Sequence, residues 1–244
     1  MLSRVPLVLA EADSHLGLTN RLLAPFARRV CLAFPIDGLG GSRYLVTGRP
    51  VPPPATDRLA ARTRFGIEPR ESCVLVFGGS QGARSINRAA VEAFAGAHFR
   101  VLHAAGERDL RSLGEDLVAP GPHYDLRGYI PRFGEALLAS DLVVARAGGS
   151  IFEIAAYGKP AVLVPYPYAT ADHQTSNARF MERAGAAVII PDRELTPARL
   201  AGEVGSLLAD PGRLAAMARA SAALARPHAA RDIAHELLAA GREH

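Results

Sequence analysis

Lysine is nearly missing from this chain of 244 residues: of its 28 basic residues, all but Lys159 are arginine. Arginine suits planar phosphate recognition, yet a skewed genomic composition explains the bias more simply. No block of basic residues occurs, and no basic stretch is interleaved with aromatics. The formal net charge is only +4, set against 24 acids. Together these exclude nucleic acid as the expected partner. Only two cysteines are present, Cys31 and Cys73, each inside an apolar run, which marks them as small core residues of a reducing compartment. No metal-ligand spacing is found, so neither a metal nor a cofactor is expected. The apolar run after Met1 is too short to span a bilayer and lacks a secretory cleavage site. The expected location is the cytoplasm, with peripheral contact on the cytoplasmic face of the plasma membrane as the closest approach to lipid.

What is present is a chain 49% hydrophobic and 21% charged, enough to bury a sizeable core. From residue 72 onward, short apolar runs alternate with longer amphipathic segments. "CVLVF", "FRVLHAAG", "DLVVARAG", "PAVLVPYP" and "AAVIIPD" are rich in Val and Ile and show little in-out alternation, as strands covered on both faces do. A weaker strand, "YDLRGYI", falls at 124–130. The segments between them read as helices, and the pattern predicts an α/β domain with a doubly wound parallel sheet of about six strands. "TPARLAGEVGSLLAD" and "PGRLAAMARASAALA" each place proline near a helix start. The expected boundaries are 1–48 for a remnant of another α/β domain, 49–70 for a Gly- and Pro-rich linker, 71–227 for the doubly wound domain and 228–244 for a closing helix. A strand, a helix and a strand are too little to fold alone, so the front piece reads as the tail of a domain, with exposed sheet edges prone to association.

Ligands of open parallel sheets bind beyond the carboxyl ends of the strands, and three clusters fall there. In "VFGGSQGAR", Gly78, Gly79 and Gly82 allow a tight turn and close backbone approach, Ser80 offers a hydroxyl, Gln81 an amide, and a helix start follows. The motif is neither G-x-G-x-x-G nor a P-loop. It suits a phosphate or diphosphate, or is simply a tight strand-to-helix turn. In "ARAGGSIFEIAAYGKP", Arg146 precedes Gly148, Gly149 and Ser150, and Glu153 follows in the first helical turn. Arg146 reads as a surface ion-pair partner or a phosphate ligand; Glu153 reads as a helix-start carboxylate or an acceptor for a ribose diol. In "PYPYATADHQTSNA", His173, Gln174 and Asn177 suit sugar hydroxyls, or the segment is a helix capped by Asp172.

In this order and spacing, "GGSQGAR", "RAGG…FEIAAYGKPAVLVP" and "DHQTSNA" followed by "AGAA" closely resemble the C-terminal half of the peptidoglycan N-acetylglucosaminyltransferases that convert lipid I to lipid II, in glycosyltransferase family 28. "LGLTNRLLA" and "VTGRPV" extend the likeness over essentially the whole chain. The resemblance implies the two-domain GT-B architecture and an inverting, metal-independent transfer from UDP-N-acetylglucosamine to a lipid-linked muramyl acceptor. It places the donor diphosphate at Ser80 and its glycines with Arg146 nearby, and the ribose at Glu153. It places the uracil edge at the backbone of Ile130 between Tyr129 and Phe133, and the sugar at Gln174 with His173.

The departures from that family are equally specific. Its opening glycine-rich loop, with the histidine taken as general base, is not in this sequence. Its "HEQN" segment reads "AEAD" at Ala10 to Asp13, Pro52 stands where an arginine is often found, and the loop from Arg146 to Glu153 is one residue short. No catalytic base is therefore assigned. His15 reads as a loop residue, and His98, His103, His123, His228, His235 and His244 as surface or packing residues. The chain reads as an N-terminally truncated transferase. The alternatives are a non-catalytic nucleotide-sugar-binding module, the donor subunit of a two-chain enzyme whose second chain supplies the N-terminal domain, and another GT-B enzyme such as a UDP-sugar epimerase or glycolipid transferase.

Overall fold

The computed structural model describes residues 5–79, 83–112, 121–169 and 172–242. The chain divides into two compact units, Met1–Pro53 with Ala225–His244, and Pro54–Leu224.

The first unit begins with β1 (Val8–Glu11), α1 (Leu18–Leu23), a 3-10 turn at Ala24–Phe26, β2 (Arg29–Leu32) and β3 (Tyr44–Val46). The strands form a parallel sheet in the order β1-β2-β3. β3 lies where the sequence showed only Gly- and Pro-rich irregularity; three residues carry no readable period, and pairing with β2 is what makes them a strand. Glu11, in the "AEAD" segment, holds the turn after β1. Its carboxylate accepts from the Gly17 N–H at 2.8 Å and the Asn20 amide at 2.9 Å. Burial would raise its pKa, but these hydrogen bonds outweigh that and leave it lowered.

The second unit opens with α2 (Arg58–Arg64), capped by the Asp57 side chain on the Ala60 N–H at 2.9 Å. This helix stands inside the stretch expected to be linker. There follow β4 (Cys73–Phe77), α3 (Arg84–Ala93), β5 (Arg100–Ala104), α4 (Glu107–Ser112), β6 (Tyr124–Arg127), α5 (Phe133–Ala139), β7 (Leu142–Ala145), α6 (Ile151–Ala156), β8 (Ala161–Leu163), α7 (His173–Arg183), β9 (Ala187–Ile189), α8 (Pro197–Leu208) and α9 (Pro211–Ala223). Among the described residues six parallel strands run in the order β6-β5-β4-β7-β8-β9. That is the doubly wound arrangement the pattern predicted, with its switch point between β4 and β7. Every residue of β4 and β7 is buried. Helix α8 turns Leu200, Val204 and Leu207, spaced i, i+4, i+7, onto the core, and Thr196 and Asp210 cap α8 and α9 ahead of the prolines.

At the amino ends of the strands, three cations collect on the carbonyls that end α5. Arg58 Nη1 donates to Leu138 O at 2.6 Å, Arg62 Nη1 to Ala139 O at 3.0 Å, and Lys159 Nζ to Leu138 O and Ser140 O at 3.0 and 2.7 Å. Cations there complement the helix dipole, and Asp141 balances them through Arg58 Nη2 at 2.6 Å. Burial, aided by Arg58, pulls the Lys159 ammonium down to about 7.

The chain then returns to the first unit as α10 (Ala229–Arg242), which packs on β1 and ties Glu236 to Arg29 at 3.0 Å. Gly48 passes under this connection at φ +82°, where a Cβ would meet the Arg226 side chain at 2.3 Å. No helix among the described residues is long and apolar enough to cross a membrane.

Candidate functional site

The β4 and β7 strands are neighbours, paired in register so that Phe77 faces Ala145. The two glycine turns therefore leave the sheet side by side at the switch point. Gly79 turns at φ +97° with open space where a Cβ would stand, so the backbone angle, not crowding, demands glycine. Ser80, Gln81 and Gly82, which complete the first motif, lie outside the described residues. Gly148, Gly149 and Ser150 lead into α6; their carbonyls accept from Ile151, Phe152 and Ile154 at 3.2, 3.3 and 2.9 Å. Glu153 is half-buried in the first turn of that helix.

Two more segments reach the same corner. After β6, Ile130 is buried and Tyr129 exposed, and Phe133, the first residue of α5, sets its ring edge-on against Phe77 at 4.8 Å. That contact carries the 129–133 segment to the tip of β4, two strands from β6. At the start of α7, Gln174 Oε1 accepts from the Tyr166 N–H at 3.0 Å, and its Nε2 lies 3.8 Å from where a Gly148 Cβ would stand. Gln174 thus bridges the turns after β7 and β8. His173 is half-buried beside it.

Two expected roles come out differently. Arg146 is no surface residue: it is 8% exposed, and its donors converge on protein atoms. Nη1 pairs with Asp192 Oδ1 at 2.6 Å and reaches Val164 O and Pro165 O at 3.1 and 3.2 Å, while Nη2 donates to Ser85 Oγ at 2.8 Å. A buried guanidinium keeps its charge only with such compensation, so Arg146 braces the loops after β8 and β9. Asn177 is likewise buried, its Nδ2 donating to Ala147 O at 3.1 Å. It holds α7 against the turn after β7 and acts on a ligand through that turn. Asp172 does stand at the N-cap of α7, but in the left-handed region and with no cap bond to the backbone. Its Oδ1 instead accepts from Thr175 Oγ1 at 2.6 Å.

Sequence reasoning missed Ser85, Asp192, Tyr166 and Tyr168 at these strand ends. Ser85 and Asp192 lie 61 and 46 residues from Arg146, and no local pattern joins them. The tyrosines of "PYPY" were visible but sat in front of the motif that drew attention.

Comparison with known proteins adds an independent line. Residues 73–237 match the family model for the glycosyltransferase family 28 C-terminal domain. The UDP-N-acetylglucosamine--N-acetylmuramyl-(pentapeptide) pyrophosphoryl-undecaprenol N-acetylglucosamine transferase of Moorella thermoacetica is 42% identical over 97% of this chain and 68% of its own length. The enzyme of the same name from Mycolicibacterium paratuberculosis is 42% identical over 98% of this chain and 60% of its own length. The chain thus spans about two thirds or less of these relatives. The crystal structure of Acinetobacter baumannii MurG superposes with a TM-score of 0.78 at 26% identity, covering 96% of this chain and 66% of that one. A UDP-GlcNAc 2-epimerase from Neisseria meningitidis shares the fold alone, with a TM-score of 0.67 at 14% identity over 96% of this chain and 70% of that one. The parallel-sheet α/β architecture is that of the GT-B glycosyltransferases.

Proposed function

The chain belongs to glycosyltransferase family 28, and from that premise we propose that its second unit binds UDP-N-acetylglucosamine for transfer of the sugar to a lipid-linked N-acetylmuramyl-pentapeptide diphosphate, the lipid I to lipid II step. The observation that carries this is the adjacency of the β4 and β7 turns, which the Phe77–Ala145 register imposes. In this reading the diphosphate lies between Gly78–Gly79 and Gly148–Ser150, with Ser80, Gln81 and Gly82 completing the cradle by resemblance. Glu153 takes the ribose hydroxyls, and the Ile130 backbone reads the uracil edge between Tyr129 and Phe133. Gln174 and His173 take the sugar. Backbone N–H groups of the Gly148–Ser150 turn offset the charge that builds on departing UDP as an acceptor hydroxyl displaces it. Arg146 acts from behind, by fixing the loop that carries Tyr166 and hence Gln174.

No residue of this chain is assigned as the general base. The general base is proposed to come from polypeptide beyond these 244 residues, on an extension of this chain or on a second chain that supplies the N-terminal domain, with peripheral contact at the membrane that holds the acceptor.

Calorimetric titration tests the donor site. UDP binds the folded chain, Gly79→Val abolishes binding with the circular dichroism spectrum intact, and Glu153→Ala weakens UDP more than inorganic pyrophosphate. Folded protein without UDP affinity overturns the proposal; equal weakening of both ligands removes Glu153 from the ribose.

A further inference from the structure

A cavity of about 500 Å³ opens at the same end of the sheet, between the start of α3, α4, and the loops after β8 and β9. Three guanidiniums, of Arg84, Arg108 and Arg146, line it together with the carboxylates of Asp109 and Asp192. Both carboxylates are already engaged. Asp192 Oδ1 accepts from Arg146 at 2.6 Å and from Ser85 Oγ at 2.7 Å, and Ser85 in turn accepts from Arg146 at 2.8 Å, closing a ring. Asp109 is buried, accepts from Asn87 Nδ2 at 3.1 Å, and has Arg84 Nε 4.0 Å from its other oxygen. Arg108 is exposed and makes no hydrogen bond or ion pair among the described residues. Among the described residues that line it, the cavity therefore holds one positive charge without a partner carboxylate.

One wall is aromatic. Tyr168 is 82% exposed yet held edge-on against Tyr166 with ring centroids 5.7 Å apart, and Tyr166 lies under the Arg146 guanidinium at 5.4 Å. A largely exposed ring, steadied among the described residues by one edge-on neighbour, suits the C–H face of a sugar. The opposite wall rests on a buried chain of hydrogen bonds. Tyr124 OH meets His103 Nδ1 at 2.8 Å, His103 Nε2 meets Asn87 Oδ1 at 3.0 Å, and Asn87 reaches Asp109. The chain links β6, β5, α3 and α4, and so fixes the helix that presents Arg108.

We propose that this cavity is a second subsite, separate from the donor turns, that takes a sugar carrying a phosphate or diphosphate: the ring on Tyr168, the oxyanion on Arg108. Resting on the function proposed above, its occupant is the glycosyl diphosphate of the acceptor, brought alongside Gln174 through Tyr166. The aromatic wall selects a phosphorylated sugar over a phospholipid headgroup, although both offer phosphate.

The test is a calorimetric titration of N-acetylglucosamine 1-phosphate into the chain held in saturating UDP. Binding persists with UDP present, falls about tenfold in Arg108→Glu and severalfold in Tyr168→Ala, and UDP affinity stays within about twofold in both variants. Competition by UDP, indifference to Arg108→Glu, or a loss in that variant confined to phosphatidylglycerol vesicles overturns the proposal. If UDP itself does not bind, the donor reading fails, and the titration without UDP still decides the subsite by its dependence on Arg108 and Tyr168.

Discussion

The two parallel sheets of this chain are covered to very different degrees. In the six-stranded sheet, β4 and β7 are buried at every position, and helices supply apolar faces such as Leu200, Val204 and Leu207. In the three-stranded sheet, β1 alternates between buried and exposed positions and β3 is mostly exposed. Helix α1 buries none of its residues, and Leu18, Leu22 and Phe26 are 64%, 62% and 78% exposed. Parallel sheets are stable when both faces are covered. The larger sheet meets that condition with its own helices, and the smaller one leaves apolar side chains in water. Stability should therefore reside in the second unit and associative behaviour in the first.

Core substitution gives the widest expected contrast. Leu75→Ala, in the middle of β4, should cost about 2–5 kcal/mol, whereas Leu22→Ala on α1 should stay within about 0.5 kcal/mol. Urea denaturation of both variants measures this, and equal losses would erase the distinction between the sheets. Lys159 comes next. Its folded pKa of about 7 lies below the ordinary 10.5, so between those values the unfolded chain holds a proton that the folded chain has shed. Stability then rises with pH from 7, by up to about 1.4 kcal/mol per unit. Above pH 9 the Cys73 thiol, pushed up to about 12 by burial, acts in the opposite sense. Comparing wild type with Lys159→Met from pH 7 to 9 should show the slope only in wild type; the same slope in both removes Lys159 as its source.

Smaller effects probe how the second unit is held. Asn87→Ala strands His103 and Asp109 and should cost about 1–3 kcal/mol, with amide exchange quickening in α4 before the rest of the sheet. Uniform quickening would show that the buried chain does not single out α4. Tyr157→Phe removes the hydroxyl that accepts from the Ala55 N–H at 2.8 Å and should cost about 0.5–1.5 kcal/mol. On the first unit, changing Leu18, Leu22 and Phe26 together to serine should leave the urea midpoint almost unmoved while shifting sedimentation toward monomer. Unchanged association would detach self-association from that apolar face.

β4, β7 and β8 were the most legible strands of the larger sheet because each is an apolar run buried at every position, a pattern that survives without context, whereas β6, with one buried residue in YDLR, read as a weaker strand. The caps of α8 and α9 were legible for a local reason as well: Thr196 and Asp210 sit directly ahead of prolines. What escaped notice was short or depended on distant partners. β3 has three residues, α4 six among the described residues, and α2 lay behind a proline run with only Asp57 to announce it. At the site, the glycine turns could be placed at strand ends, but which strands are neighbours could not. The burial of Arg146 was invisible because Asp192 and Ser85 approach it from two other elements.

Local chemistry along the chain was thus enough to determine an α/β chain with a doubly wound parallel sheet, where α8 and α9 start, and that glycine turns and polar clusters follow its strands, since each depends on residues within a few positions of one another. Tertiary structure alone decided that β4 lies beside β7, that Phe133 meets Phe77, and that Arg146 is spent on Asp192 while Arg108 faces an open cavity. Those outcomes depend on strand order and on low-dielectric pairing between residues dozens of positions apart, and neither leaves a trace in a linear pattern.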